Sequence, residues 1–218
     1  MLLPRSLATA ALAAIIHLAP HAAVAQGQSL LYTVPFKAGE GGARIYRIPA
    51  IWWLPKKPLM AFAERRTEQR RMTGDVDIVL RRSLDQGQTW EPMQILANLD
   101  RDTCGNPCVV QDASNGRLWL AFTRSRNADT EEDIVAAKVP GTGVWITHSD
   151  DDGATWAAPR DISATARKAN WGWYGTGPGQ GLYLRGGASK PDRLLNTRRR
   201  AEDCCCKAAF KHGLSNSR

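Results

Sequence analysis

Arginines, carboxylates and thiols are the groups in this chain whose types and spacing suggest chemistry. Arg47 stands in "YRIPA", and Arg65 and Arg66 end "FAERR" directly after Glu64. Asp75 and Asp77 follow in "GDVD", and Asn106 opens "NPC". Read without context, an arginine beside Ile-Pro is a solvated strand end, and Arg66 is one half of a surface salt bridge. Cys104 and Cys108 are close enough in sequence to pair in an oxidising compartment, and two separate buried thiols explain them equally well. Cys204, Cys205 and Cys206 are consecutive, which fits neither a disulfide framework nor a tetrahedral zinc spacing. No His cluster accompanies them. No metal and no cofactor is therefore expected.

Two further aspartates sit in a repeated phrase. "SLDQGQTW" begins at Ser83 and "SDDDGATW" at Ser149, both of the form Ser-x-Asp-x-Gly-x-Thr-Trp. Gly87 and Gly153 offer a backbone position suited to positive φ in a tight turn. Asp85 and Asp151 are placed to accept hydrogen bonds from turn amides. Trp90 and Trp156 are expected to open the next strand and fill the space between stacked units. None of this needs a substrate, so the octet reads as architecture.

The elements that must position these groups are short strands. "ARIYRIPAIWWL", "PLMAFAER", "DVDIVLRRS", "RLWLAFTRS" and "GVWITHS" are rich in Ile, Val, Trp and Phe and are bounded by Gly, Pro, Asn and Asp. Their order repeats. Residues 44–96 read as strand, turn, strand, loop, strand, octet, strand, and residues 107–162 read the same way. A third unit starts near Trp171. Each unit has about the length of one propeller blade and must stack on a neighbour to bury its faces. The fold class is all-β, with two blades and the start of a third.

Composition narrows the setting. The first 25 residues carry Arg5, an apolar run from Leu7 to Leu18 and the small-residue site Ala23-Val24-Ala25. That is a secretory signal peptide, so a secreted or periplasmic chain with no other membrane-spanning segment is expected. The net charge is +8 over 218 residues, but residues 193–218 hold seven Lys or Arg and two acids, which leaves the body only mildly basic. That distribution and the export signal exclude a nucleic-acid partner.

In this setting the sequence resembles the sialidase (neuraminidase) family of six-bladed β-propellers. The octets resemble its Asp boxes. The more specific segments are "YRIPA", "LMAFAERR", "GDVDIVLRRSLDQGQTW", "NPC" and "WYGTGPGQGLYL", which occur in the family's order across residues 31–195. The resemblance implies a retaining exo-alpha-sialidase that releases terminal sialic acids from glycoproteins, gangliosides and oligosaccharides. In that family three arginines hold the sugar carboxylate, a Tyr paired with a Glu attacks, and an Asp is acid/base. Arginine's planar fork suits a carboxylate ligand. A neutral Tyr nucleophile avoids charge repulsion there.

Carried over by motif, Arg47 matches the first arginine of the carboxylate clamp, and Arg66 an arginine of the same pocket. Glu64 is placed to hold an arginine. Asn106 matches a pocket-wall residue, and Trp171, Trp173 and Tyr174 either border the site or pack the core. Gly177, Pro178 and Gly179 shape a turn at the rim. The acid/base position, nine residues before Arg81, is occupied by Met72. Asp75 is a candidate acid only if that loop has shifted.

The expected domains are a signal peptide (1–25), an incomplete propeller (26–195) and a disordered, basic, Cys-rich tail (196–218) of out-of-frame origin. The family's Glu, its other clamp arginines and its Tyr belong to later blades. The expectation is therefore descent from exo-alpha-sialidases without turnover in this polypeptide. The alternatives are a non-hydrolytic sialic-acid-binding fragment and a non-functional truncated product. Open sheet edges and an uncovered apolar face imply instability or aggregation.

Overall fold

Alternating Val, Ile, Leu and Phe runs between Gly- and Asp-rich turns leave the chain little option but short antiparallel strands. The computed structural model describes residues 33–67, 74–186, 193–200 and 203–211, the segments 194–200 and 203–211 in their main chain only. The signal segment and Met72 lie outside the described residues.

The first unit is an antiparallel meander of β1 (Ile45–Trp52), β2 (Leu59–Arg66), β3 (Val76–Ser83) and β4 (Gln94–Ala97). The second repeats it with β5 (Thr103–Gln111), β6 (Leu118–Ser125), β7 (Gly143–Ser149) and β8 (Arg160–Asp161). A short helix α1 (Glu131–Val135) interrupts the β6–β7 connection, and α2 (Ser163–Ala166) follows β8. Next come β9 (Tyr174–Thr176), β10 (Gly179–Gln180), β11 (Leu182–Leu184), β12 (Arg193–Arg200) and β13 (Asp203–Lys211). The two meanders meet at a parallel bridge between Val76 and Thr103, and β10 runs parallel to β5. A second sheet places β12 between β13 on one side and both β9 and β11 on the other.

Strands β2 and β3 are buried on both faces, which is why they read as nearly continuous apolar runs. Phe62, Ile78, Leu80, Leu120 and Phe122 form the core. Trp156 of the second unit packs edge-on against Phe62 of the first, with ring centroids 6.0 Å apart.

Both octets close in the same way. The Ser83 hydroxyl accepts the Gly87 N–H at 2.6 Å and donates to Asp85 Oδ1 at 2.8 Å. The carboxylate then accepts the Thr89 N–H at 2.8 Å and its hydroxyl at 2.6 Å. Ser149, Asp151, Gly153 and Thr155 repeat each of these bonds. Gly153 has φ +78°, and a Cβ there would sit 2.7 Å from Met60 Sδ, so this turn has no space for a side chain. The tryptophans do not open the fourth strands as expected. These begin four residues later, at Gln94 and Arg160. After each Trp a single main-chain bond returns to the preceding strand, from the Glu91 N–H to Arg82 O and from the Ala157 N–H to His148 O.

Two strands lie in the last part of the chain. Strand β12 runs through the anticipated boundary at 195/196 and pairs antiparallel with β13. An antiparallel ladder is made by main-chain N–H and C=O groups, so it does not require the side-chain alternation that the tail lacks.

Candidate functional site

Strand parity assembles the site. Arg47 on β1 is directly paired with Glu64 on β2, and Arg66 lies two residues further along β2. Paired residues, and residues two apart, share a face of a sheet, so Arg47, Glu64 and Arg66 project to the same side. Arg65 falls on the other face. It donates Nε–H to Asp77 Oδ2 at 2.8 Å and an Nη1–H to Gly41 O at 3.0 Å. Burial raises the Asp77 carboxyl above its usual range, against the opposing pull of Arg65.

Glu64 and Arg66 are both buried. Glu64 Oε2 accepts the Arg66 Nε–H at 2.9 Å and an Nη2–H of the same guanidinium. Its other oxygen, Oε1, accepts the Asn106 N–H at 2.8 Å. One carboxylate thus fixes an arginine of its own strand and the main chain of β5. A Cβ on Gly105 would lie 2.9 Å from Oε1, so glycine at that position gives the carboxylate its access.

Two residues of this region hold left-handed backbone that their types seldom adopt. Ile48 has φ +52° and Asn106 has φ +56°. For Asn this is tolerable, whereas for β-branched Ile it is a true outlier. Both lie in register irregularities, of β1 between Arg47 and Ala50 and of β5 between Gly105 and Cys108. Bulges of this kind redirect side chains beside functional clefts. Asn106 is held on two more sides. Its carbonyl accepts the Thr176 hydroxyl at 2.5 Å, and its amide donates to Thr123 Oγ1 at 3.4 Å.

These groups line a cleft of about 300 Å³. Arg47, Arg66 and Asn106, the three binding residues read from the sequence, all contribute to it, together with Glu64 and Ile48. Arg47 is exposed and Arg66 buried. Trp173, Tyr174 and Pro178 close one side. Tyr174 is also core, stacked on Trp171 with centroids 5.7 Å apart, so the choice between border and packing has no single answer for the three aromatics.

Asp75 is not among the lining residues. It precedes β3, where its Oδ2 lies 3.6 Å from Arg101 Nε. Glu131 does line the cleft, half-buried at the start of α1, and sequence reasoning missed it. The available signal was the helix cap. Thr130 accepts the Asp133 N–H at 3.1 Å, as Thr ahead of an acidic first turn should.

Cys104 and Cys108 are free, buried thiols. Four steps along one strand separate them by about 10 Å or more, beyond disulfide reach. Burial pushes both thiols up to about 12. Among the described residues no cluster of metal-ligating side chains occurs, and no helix is long and apolar enough to cross a membrane.

The chain matches the family model described as a BNR repeat-like domain over residues 57–191. It is 29% identical to an exo-alpha-sialidase of Aspergillus fumigatus, over 70% of this chain and 42% of that protein. It is 32% identical to sialidase-3 of Mus musculus, over 70% of this chain and 38% of that protein. Among solved structures it is similar to the Hadza microbial sialidase Hz136, with 26% identity and a TM-score of 0.64 over 75% of this chain and 34% of that one. An intramolecular trans-sialidase from Ruminococcus gnavus shares the fold at 13% identity, with a TM-score of 0.60 over 77% of this chain and 58% of that one. The chain spans about two fifths of the length of these curated relatives.

Proposed function

We propose that this chain, which belongs to the sialidase family, holds the carboxylate of a terminal sialic acid against Arg47. The observation that carries this reading is the pairing of an exposed guanidinium with a prearranged wall. Arg47 shares a sheet face with the buried Glu64–Arg66 pair, and Asn106 is locked by three separate bonds to the same cleft. A charge-assisted contact to Arg47 contributes about 1.5–3 kcal/mol. The complete protein would use this cleft in an exo-alpha-sialidase that releases sialic acids, with retention, from glycoproteins, gangliosides and oligosaccharides. Its two meanders would be blades of a six-bladed propeller, its octets Asp-box turns, and its leader an export signal to the periplasm or exterior.

For the polypeptide itself we propose binding without turnover. Met72 occupies the position of the family's acid and cannot donate a proton, and Asp75, the nearby substitute, does not line the cleft. Loss of general-acid help alone costs about 10²- to 10⁴-fold in rate. The test pairs a fluorogenic sialoside assay with calorimetric titration of free sialic acid. Saturable binding weakened about tenfold or more in Arg47→Ala, with no hydrolysis, is the expected result. Robust hydrolysis overturns the inactivity, and the absence of saturable binding overturns the functional reading.

A further inference from the structure

Asn115 is the only asparagine of the chain that is followed by glycine. The pair stands in the exposed turn that joins β5 to β6. The side-chain amide of an asparagine is open to attack by the main-chain nitrogen of the next residue, and a Cβ on that residue is the usual obstacle. Here there is none. Gly116 has φ +81°, and nothing stands within 4 Å of where its Cβ would be. Asn98 and Asn127 are followed by Leu99 and Ala128, which carry that Cβ. Asn106 is followed by Pro107, whose nitrogen has no hydrogen to give up.

The turn also presents the side chain to the attacking nitrogen. The Arg117 N–H donates to Asn115 Oδ1 at 2.9 Å, which folds the side-chain carbonyl back over the peptide of Gly116. The same N–H sits where negative charge develops on Oδ1 during attack. One contact opposes the reaction. The Gly116 N–H donates to Asp112 O at 2.8 Å and must first be released. That bond belongs to an exposed turn, so it opens locally without unfolding either strand.

We propose that Asn115 is a site of spontaneous deamidation in the folded chain, with solvent water as the only co-reactant. Gly116 gives its amide proton to solvent, and its nitrogen bonds to Cγ of Asn115. The Cγ–Nδ2 bond then breaks, Nδ2 takes up a proton and leaves as ammonia, and a five-membered succinimide remains. Water opens either carbon–nitrogen bond of the ring, which leaves a carboxylate at this position as aspartate or isoaspartate. The new charge falls in an unfavourable place. Asn115 Nδ2 donates to Asp112 Oδ2 at 3.3 Å, so a donor to the buried Asp112 is exchanged for a second carboxylate. The neighbouring cation, Arg117, is already engaged by Asp150 at 2.6 and 3.0 Å.

The test holds the full chain native at pH 8 and follows the tryptic peptide of residues 102–117 by mass spectrometry. The expected result is a gain of one mass unit at Asn115, resolved by chromatography into two isomers, with Asn98, Asn106 and Asn127 unchanged. Conversion is lost in Asn115→Gln and in Gly116→Ala. Conversion in urea but not in the native chain means that the turn protects Asn115, and it overturns the proposal. Equal conversion at Asn98 or Asn127 overturns it as well. Asn115→Asp installs the charge without lengthening the main chain. It should lower the thermal midpoint at low salt and less so at high salt. A midpoint unchanged at both overturns the predicted clash with Asp112.

Discussion

Removing the Glu64 carboxylate is the sharpest perturbation the cleft allows. Glu64 and Arg66 are 2% and 4% exposed. In Glu64→Ala the buried Arg66 guanidinium loses the carboxylate that fixes it. Breaking a buried pair in this way costs about 3–5 kcal/mol. The Asn106 N–H loses its acceptor as well, at about 1 kcal/mol. Together these approach the whole stability of a marginal domain, about 5–15 kcal/mol. For a chain of this length each kcal/mol shifts the midpoint by about 2–4 °C, so a drop of about 10–20 °C follows. The assay is thermal unfolding followed by tryptophan fluorescence. The variant Glu64→Leu with Arg66→Met removes both charges together, and hydrophobic replacement of a buried pair is often close to neutral. It should regain most of the lost stability while sialic acid binding stays weak. A drop below about 3 °C in Glu64→Ala, or a double variant as unstable as the single one, would refute the claim that loss of the buried Glu64–Arg66 pairing is the cause.

Two further outcomes follow from the same coordinates. The Thr89 and Thr155 hydroxyls and amides, with the octet serines, hold Asp85 and Asp151 down to about 2. A depressed folded-state value means the stabilisation is complete above the ordinary carboxylate range and is lost as pH falls through it towards 2. Thermal midpoints should therefore decline between about pH 4 and 2, and a variant with Asp85→Asn and Asp151→Asn should show a flatter decline. Cys104 and Cys108, with thiols pushed up to about 12 by burial, should resist iodoacetamide at pH 8 in the native chain and react in urea. Native labelling of either, or a peptide linked through both, contradicts the observed environment.

How much of this was legible depends on the length of the pattern that carries it. Strand parity is a two-residue rule, so the separation of Arg66 from Arg65 followed once the strand was recognised, whereas the register that sets Arg47 opposite Glu64 is a cross-strand property that parity along one strand does not carry. The octet bonds were legible because Ser, Asp, Gly and Thr each have one natural role in a tight turn. Glu131 was not legible from periodicity, because a five-residue helix is too short to show a repeat. The backbone state of Ile48 was hidden for a different reason. Nothing about Ile favours φ +52°, and only the register jump between Arg47 and Ala50 requires it.

The strained residues explain why Glu64 is so well buttressed. Ile48 holds a backbone state that costs about 1–3 kcal/mol, Asn106 holds the same left-handed state at lower cost, and both line the cleft. Such states persist only where the surroundings over-determine them. For Asn106 the determinants are visible. Glu64 takes its N–H, Thr176 reaches its carbonyl, and Thr123 receives its amide. Two of these partners lie on β6 and β9, outside the meander that carries Arg47. The cleft wall is therefore held by both meanders and by the strand beyond them, while the exposed cation comes from the first meander alone. A substitution that loosens either flanking contact should spare Arg47's charge and still degrade binding, because Asn106 would relax from the position the carboxylate of Glu64 assigns it.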